Sequence, residues 1–241
     1  MDPYSFYYDQ EYAGYYGKME RFLDGHIDFK GKTVLCLASG TGHIQRRYVD
    51  NGARSVTCVE ISKDFLDIFK ARISGHPEYL EKMTLVRQDM AKFEFGKKFD
   101  LILLLGNSFS HLMTQERQIE CLERIRKHLG RDGRAYLHVM PLSDRMNGDF
   151  RLSRSFKDRD GLFVRETAKG RLSYPEHRMD FEVQYRSRRG LVRQVLHTRL
   201  MTVPELQLLL KLTGLAVTNI YSDYERKRRR GASELIYEVK K

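Results

Sequence analysis

A glycine-containing segment near residue 40 has the composition of a ligand-binding turn. The apolar run 33–37 is followed by Ala38, Ser39, Gly40 and Gly42. Glycine permits positive φ angles and lets a ligand approach the backbone closely. A turn that opens a helix also presents free amide groups to an anionic or polar ligand. A Gly-x-Gly pair alone is a weak signal, because glycine-rich connections also occur without any ligand.

Two carboxylates follow later apolar runs and strengthen this interpretation. Glu60 and Ile61 close the second run, and Asp89 and Met90 follow the third. A carboxylate at the end of a second strand can accept both hydrogen bonds of a ribose diol. Asp89 can accept from an adenine amino group, with turn formation as the alternative role. A P-loop is excluded because no Gly-Lys-Ser/Thr follows, and Gln45 replaces the third glycine of the dinucleotide fingerprint.

Alternating strands and helices must hold these residues. The apolar patterns predict strands over 33–37, 55–60, 83–88, 99–105 and 133–140 and helices over 43–51, 63–73 and 115–129. This alternation is typical of a parallel sheet with helices on both faces. Ligands bind such sheets beyond the carboxyl ends of the strands, where the glycine turn and both carboxylates lie.

The pattern of apolar residues differs on both sides of this α/β unit. Residues 1–30 are rich in tyrosine and predict one or two short amphipathic helices. Residues 162–168, 179–185 and 192–200 alternate apolar and polar side chains, which predicts an antiparallel sheet with one exposed face. Thr202, Pro204 and Glu205 begin a further helix with a capping box, and strands over 216–222 and 234–239 close the chain. We therefore expect a helical cap over 1–30, a ligand-binding domain over 31–143 and 201–241, and an antiparallel β insertion over 144–200 on the substrate side.

The combined motifs resemble those of class I S-adenosylmethionine (SAM)-dependent methyltransferases. They are the run Ala-Ser-Gly-Thr-Gly at 38–42, Val-Glu at 59–60, Gln-Asp at 88–89, Phe-Asp at 99–100 and Asn-Ser-Phe-Ser-His at 107–111. The last run is similar to that of glycine N-methyltransferase-like small-molecule enzymes, which also carry a three-stranded antiparallel insertion. The resemblance implies a Rossmann-like, mostly parallel seven-stranded sheet with SAM as the cofactor.

The resemblance also implies which residues contact the cofactor. The expected set is Tyr8, Ala38, Ser39, Gly40, Gly42, Glu60, Ile61, Asp89, Met90, Leu105, Asn107 and His111. The chain departs from the family pattern at Cys36, where the family has Asp, and at Ala38, where it usually has Gly. A thiol cannot replace the carboxylate charge near the methionine end of the cofactor. No Arg follows the fifth strand before Arg145, so glycine is not the expected acceptor.

His111, His138 and Tyr16 are the candidate catalytic residues. Methyl transfer from a sulfonium is an in-line displacement with an activated leaving group, so positioning is the main task. An amine nucleophile must be neutral, and both histidines are expected at strand ends facing the site; a structural histidine is the alternative for each. At least one of Tyr8, Tyr12 and Tyr16 is expected in a lid, where cation–π contacts contribute roughly 0.5–2 kcal/mol. Helix packing or a dimer contact is the alternative. No cysteine lies in the Pro-Cys loop that a covalent mechanism would use.

The composition limits the function classes. The chain has 241 residues, 41% of them hydrophobic, and a net charge of +11. It has no apolar run of membrane-spanning length, no signal-peptide layout and no disulfide pattern, so a cytoplasmic protein is expected. The expected partner is a small-molecule acceptor, anionic molecules included, and a homo-oligomer is compatible with the sequence. An RNA-directed methyltransferase, suggested by the charge and by Arg226–Arg230, and a non-catalytic SAM-binding regulator remain open. Against RNA, there is no appended RNA-binding module and no Asn-Pro-Pro-Tyr motif.

Overall fold

The fold contains two separate sheets. The computed structural model of the protein describes residues 3–142, 148–158, 160–222, 224 and 234–241. This part of the chain forms a seven-stranded sheet with helices on both faces and a four-stranded antiparallel sheet. The predicted α/β, Rossmann-like fold is therefore confirmed.

Five parallel strands of the large sheet bring the predicted motifs to one edge. The strand order is β10-β11-β5-β4-β1-β2-β3, and β11 runs antiparallel to both of its neighbours. The strands are β1 (Thr33–Leu37), β2 (Ser55–Glu60), β3 (Met83–Arg87), β4 (Phe99–Leu104), β5 (Leu129–Val139), β10 (Ala216–Ser222) and β11 (Leu235–Lys240). The central strand β4 is almost entirely apolar because helices cover both faces of the sheet. The turns that follow β1 to β5 consequently share one edge of the sheet.

Three of the helices in the described residues follow a Ser or Thr whose side chain caps the first turn, namely Ser62, Thr114 and Thr202. The helices are α1 (Tyr8–Glu11), α2 (Ala13–His26), α3 (Gln45–Asp50), α4 (Lys63–Ile73), α5 (Pro77–Lys82), α6 (Gln115–His128) and α7 (Val203–Leu212). The Thr202 side chain accepts from the Glu205 amide at 3.3 Å, as predicted. The Glu205 carboxylate instead binds Arg199 and Gln115, so the capping box is only half formed. The short helix α5 was not predicted.

Two apolar layers hold the helices on the sheet. One face of the sheet packs against α6 and α7 through residues such as Leu122, Ile125 and Leu209. The other face packs against α2, α3 and α4 through residues such as Phe22 and Phe69. Burial of such side chains stabilises the fold by about 1.5–3 kcal/mol each. Within the described residues, no helix is long and apolar enough to cross a membrane.

The antiparallel sheet has four strands, so the expectation of three was wrong. They are β6 (Gly148–Lys157), β7 (Phe163–Ser173), β8 (Arg178–Ser187) and β9 (Gly190–Arg199), paired in sequence order. Strand β6 lies at the edge of the sheet and is mostly exposed, so its apolar positions are too diluted by Arg and Ser to give a clear two-residue period. The N-terminal segment, residues 3–30, packs on this sheet, with Tyr4 and Tyr7 against Val164 and Tyr185.

Candidate functional site

The turn after β1 is left-handed at three positions. Ala38, Gly40 and Gly42 have φ angles of 51°, 59° and 79°. A Cβ atom on Gly42 would lie 2.1 Å from the Phe69 ring of α4, so this glycine is required for the close packing of helix against turn. Ala38 occupies a conformation that costs an L residue about 1–2 kcal/mol, which explains why the family usually has glycine there.

A cavity of about 220 Å³ opens at the carboxyl ends of β1, β2 and β3. Its lining includes six predicted cofactor contacts, namely Ala38, Glu60, Ile61, Asp89, Met90 and His111. This volume is below the roughly 300–1,000 Å³ of sites that enclose a whole drug-sized ligand. The cavity therefore matches part of a nucleoside-bearing cofactor, and the rest of the edge is covered by the N-terminal segment.

A larger groove lies at the opposite edge of the sheet. It measures about 550 Å³ and is formed by residues 24–29 and Asn51, which precede β1 and β2. In a parallel α/β sheet, ligands bind at the carboxyl edge and not at the amino edge. The smaller cavity is the one that coincides with the predicted chemistry.

Glu60 is buried and fixed by backbone amides. Its Oε2 accepts from the Gly40 amide at 2.8 Å, and its Oε1 accepts from the Ile61 and Ser62 amides at 2.9 Å. A carboxylate offers about four acceptor positions, so roughly one remains in this arrangement. Glu60 thus links the glycine turn to the end of β2. Its carboxylate has fewer acceptor positions left than it would need to bind both ribose hydroxyls.

Asp89 both forms a turn and lines the cavity. Its Oδ1 accepts from the Ala91 amide at 2.8 Å, and its Oδ2 pairs with the Arg117 guanidinium of α6. Arg117 also lines the cavity. The turn-forming alternative is thus observed, and Arg117 places a cation at the site that the sequence motifs did not indicate.

Ser39 and Cys36 define the other side of the glycine turn. The Ser39 hydroxyl is buried and has no partner among the described residues, and leaving such a group unpaired costs about 1–3 kcal/mol. A ligand hydrogen bond would satisfy it. Cys36 Sγ contacts Gln45 Nε2 at 3.3 Å, and burial raises the pKa of the Cys36 thiol to about 11. The thiol is therefore neutral and does not replace the carboxylate of the family motif.

The N-terminal segment lies directly over the glycine turn. The Tyr8 ring is 3.8 Å from the position that a Cβ atom on Gly40 would occupy. The Asp9 carboxylate binds the Thr41 hydroxyl and the Arg72 guanidinium of α4. Charge-assisted hydrogen bonds of this kind are about twice as strong as neutral ones, so α1 is fastened to the turn.

Aromatic contacts also hold the N-terminal segment over the glycine turn; we call this part of the segment, from Tyr4 to Tyr16, the N-terminal cover. The rings of Tyr8 and Tyr12 are 4.8 Å apart, and the Tyr16 ring stacks on His43 at 4.0 Å. The Tyr16 hydroxyl donates to Asp9 at 3.2 Å, and burial raises the pKa of Tyr16 well above its usual value. These contacts match the packing alternative for Tyr16, and its catalytic role stays a prediction.

A charged cluster joins the N-terminal segment to the antiparallel sheet. Glu11 accepts from the Tyr185 hydroxyl, and Arg154 lies between Glu11 at 3.1 Å and Glu166 at 2.6 Å. Both carboxylate side chains are only 7% exposed. Burial raises the pKa of Glu11 to about 7 against the opposing effects of Tyr185 and Arg154.

The end of β4 is tied to the end of β5. The Asn107 amide donates to His138 Nδ1 at 2.8 Å, and Asn107 Oδ1 accepts from the Met140 amide at 2.9 Å. Leu105 is buried beside this turn, and its carbonyl accepts from the Ser108 hydroxyl at 3.0 Å. His138 is 1% exposed, so its ring is enclosed by protein and does not face the cavity as the sequence had suggested.

His111 borders the cavity at the end of a 3₁₀ turn, Ser108–His111. Much of the residue is accessible to solvent. The protein groups around the ring nevertheless desolvate it and lower the pKa of His111. A hydrogen bond to the His197 carbonyl acts in the opposite direction and raises the pKa, but by less. The ring is therefore neutral near pH 7. One nitrogen donates to His197, and no hydrogen bond to the other is seen among the described residues, so that nitrogen can accept a proton.

The residues that sequence reasoning missed are partners from distant parts of the chain. Asp9, Arg72 and Arg117 each complete a contact over more than twenty residues. Tyr15 and Tyr224 meet at the end of β5. Isolated charged and tyrosine residues carry no local spacing signal, so only the three-dimensional arrangement identifies them.

Comparison with known proteins agrees with this geometry. Residues 34–133 match the family described as Methyltransferase domain. Cypemycin N-terminal methyltransferase from Streptomyces sp is 31% identical over 133 residues, which are 54% of this chain and 51% of that protein. The chain thus spans about half the length of this relative, and about a quarter of the plant histone-arginine methyltransferases that it also matches.

Solved structures share the fold over nearly the whole chain. The CcbJ methyltransferase from Streptomyces caelestis superposes with a TM-score of 0.81 at 19% identity, covering 93% of this chain and 88% of that one. SAM-bound CalS10, an amino pentose methyltransferase from Micromonospora echinaspora, gives 0.74 at 16% identity, covering 97% and 96%. Residues 34–133 therefore carry a methyltransferase domain, and the chain shares the fold of these solved methyltransferases.

Proposed function

We propose that the protein transfers a methyl group from SAM to an amine nitrogen of a small molecule. The observation that supports this proposal is that the N-terminal segment covers the carboxyl edge of the large sheet. The N-terminal segment touches the glycine turn through Asp9 and the antiparallel sheet through Glu11. An acceptor that reaches the turn must fit under this cover, which favours a small molecule over a polymer.

The residues around the cavity fit the adenosine half of the cofactor. Glu60 keeps acceptor capacity beside the Gly40 amide, Asp89 and Met90 line the opposite wall, and the Ser39 hydroxyl lacks a partner among the described residues. When bound, SAM supplies a methyl group on a positively charged sulfur. The chain's own task is to hold both reactants in line and to exclude water.

The cover favours a cationic or amine-bearing acceptor. Tyr4, Tyr8 and Tyr12 present aromatic faces near Glu11 and Glu166, whose two carboxylates share the single guanidinium of Arg154. Tyrosine faces attract ammonium groups, and an ammonium group beside Glu11, whose pKa burial raises to about 7, would favour the charged form of that carboxyl. Two similar proteins have names that agree with this acceptor class: one is an amino pentose methyltransferase and the other is an N-terminal methyltransferase.

His111 is the residue that we propose as proton acceptor. An amine attacks only when neutral, and the product amine must lose a proton. His111 lies at the cavity, has a lowered pKa and keeps one ring nitrogen available. It can accept that proton without first losing one of its own.

Radiolabelled SAM tests the proposal. The protein is incubated with labelled SAM and small amino sugars or amino-terminal dipeptides, each paired with its hydroxyl analogue, and separately with total RNA. We expect label in amines and none in the analogues. In the variant His111→Gln we expect kcat to fall by a larger factor than the SAM affinity, which calorimetry measures separately, because His111 also borders the cofactor cavity. Label confined to RNA or to hydroxyl compounds contradicts the proposal, and so does SAM binding without transfer to any amine, which would indicate a regulator.

A further inference from the structure

The turn after β4 holds two consecutive left-handed residues. Gly106 and Asn107 have φ angles of 69° and 56°. Asn tolerates this region better than most residues but still carries strain, and such strain persists only where surrounding contacts determine it. Because β4 pairs with β1, this turn stands beside the glycine turn at the carboxyl edge.

His138 supplies one of the contacts that hold the turn, together with the Met140 amide that donates to Asn107 Oδ1. Asn107 donates its amide hydrogen to His138 Nδ1 at 2.8 Å. A nitrogen that accepts this hydrogen bond carries no proton, so the neutral ring bears its proton on Nε2. The nearest carboxylate to Nε2 is Glu234 Oε2, at 3.9 Å. This arrangement fixes one tautomer of a buried imidazole.

Two tyrosines from opposite ends of the chain complete the enclosure. The hydroxyls of Tyr15 and Tyr224 lie 3.2 Å and 3.0 Å from His138 Nδ1 and 2.8 Å from each other. A backbone hydrogen bond also joins Gly106 to the Tyr224 hydroxyl. Tyr15 belongs to α2, so the N-terminal segment touches the residue that holds the β4 turn.

We propose that His138 is a positioning residue for methyl transfer: its Nδ1 holds the Gly106–Asn107 turn in place, and Tyr15 couples that turn to the N-terminal cover. Tyr15, Tyr224 and Glu234 are the titratable groups that face the ring among the described residues. Burial raises the pKa of both tyrosines well above the usual value, so they stay neutral. His138 itself is not a proton acceptor for the substrate.

A matched pair of variants tests this role. In His138→Asn, the side-chain oxygen takes the place of Nδ1 as acceptor, whereas His138→Leu removes the acceptor at similar size. We expect kcat to fall by roughly ten- to a hundredfold in the Leu variant, with little change in SAM Kd, and to recover substantially in the Asn variant. The loss in the Leu variant should be equal from pH 7 to pH 9. Equal impairment of both folded variants, or recovery of the Leu variant at high pH, would overturn the proposal.

Nuclear magnetic resonance on the unmodified, ¹⁵N-labelled protein gives a readout that needs no substrate. We expect His138 Nδ1 to resonate as an unprotonated nitrogen and to couple to the Asn107 amide nitrogen across the hydrogen bond. A protonated Nδ1 refutes the proposal even if neither variant folds. The expected effect on kcat rests on the proposed function, but the resonance measurement does not depend on it. If no amine is methylated and the coupling is present, the proposed acceptor class is rejected while the His138–Asn107 hydrogen bond remains established.

Discussion

Glu60 is the single side chain on which cofactor binding should depend most. Its carboxylate organises three backbone amides and still has acceptor capacity at the cavity. In Glu60→Ala the glycine turn loses the acceptor for the Gly40 amide, and the ribose loses its partner. We expect SAM binding to fall below detection by isothermal titration calorimetry.

The matched control for Glu60 is Glu81→Ala, which removes an exposed carboxylate elsewhere on the surface. Its SAM Kd should be unchanged, and both proteins should show the same circular dichroism spectrum. Normal SAM affinity in Glu60→Ala would reject the cofactor site described here.

Ala38 should be improvable because its backbone conformation suits glycine. The residue has a φ of 51°, and relief of about 1–2 kcal/mol of strain exceeds the extra unfolded-state entropy of glycine, which costs about 0.4–1 kcal/mol. We expect Ala38→Gly to raise the free energy of unfolding by about 1 kcal/mol in urea titrations. Ala71→Gly, at an exposed position in the last turn of α4, should lower it by up to about 1 kcal/mol. Destabilisation by both changes would contradict the strained conformation of Ala38.

The site was predictable from sequence where short spacing encodes geometry. Gly40, Glu60 and Asp89 each lie at the end of a strand or within three residues of it, so strand periodicity located them together. The prediction that His138 faces the cavity was wrong because its place at a strand end gives its position along the sheet but not which groups surround its side chain. Its burial depends on Tyr15 and Tyr224, which lie 123 and 86 residues away in the chain.

At the scale of elements, the contact between α1 and the antiparallel sheet should respond to pH. The pKa of Glu11 is about 7 in the folded protein because of burial, above an ordinary value of 4.5. Below pH 4.5 both states hold the proton. As the pH rises towards 7, the unfolded chain releases it while the folded protein retains it, so stability falls by up to about 3 kcal/mol and then levels off.

Glu11→Gln tests this linkage because glutamine mimics the protonated carboxyl. In urea titrations at pH 5 and pH 8, wild-type protein should lose stability relative to the variant as the pH rises. Glu81→Gln should instead keep a constant offset from wild type across the same range. A constant offset for Glu11→Gln as well would mean that the carboxyl is already ionised at low pH and that the pKa assignment is wrong.

Elements with strong periodicity were predicted well, and those without it were not. Strands β1 to β4 and helix α4 matched closely, since apolar runs and amphipathic spacing report burial directly. The edge strand β6 escaped prediction because its exposed polar residues obey no packing pattern. The docking of α1 on Arg72 also had no local signal, because ion pairs between distant segments leave none.

At the scale of the molecule, the net charge of +11 is displayed partly on one face. Strands β6 to β9 direct the exposed side chains of Arg151, Arg165, Arg171, Arg186 and Arg193 outward. Arg165 and Arg186 are direct partners across β7 and β8, and like charges in this position destabilise a sheet. The predicted basic run Arg226–Arg230 lies outside the described residues. This outward face is the feature that most favours the RNA alternative.

The RNA alternative and the small-molecule proposal predict different salt dependence. About five phosphate contacts on this face would make affinity fall roughly 100- to 1,000-fold between 50 and 200 mM salt, so we expect retardation of RNA in gels at 50 mM salt and none at 150 mM. Replacing Arg165 and Arg186 together by Gln should abolish the low-salt retardation and leave methyl transfer to the small amine unchanged, because both residues point away from the cover. Tight RNA binding at 150 mM salt, together with loss of methyl transfer in the double variant, would reverse the assignment, since the acceptor would then have to approach along the outer face of the antiparallel sheet.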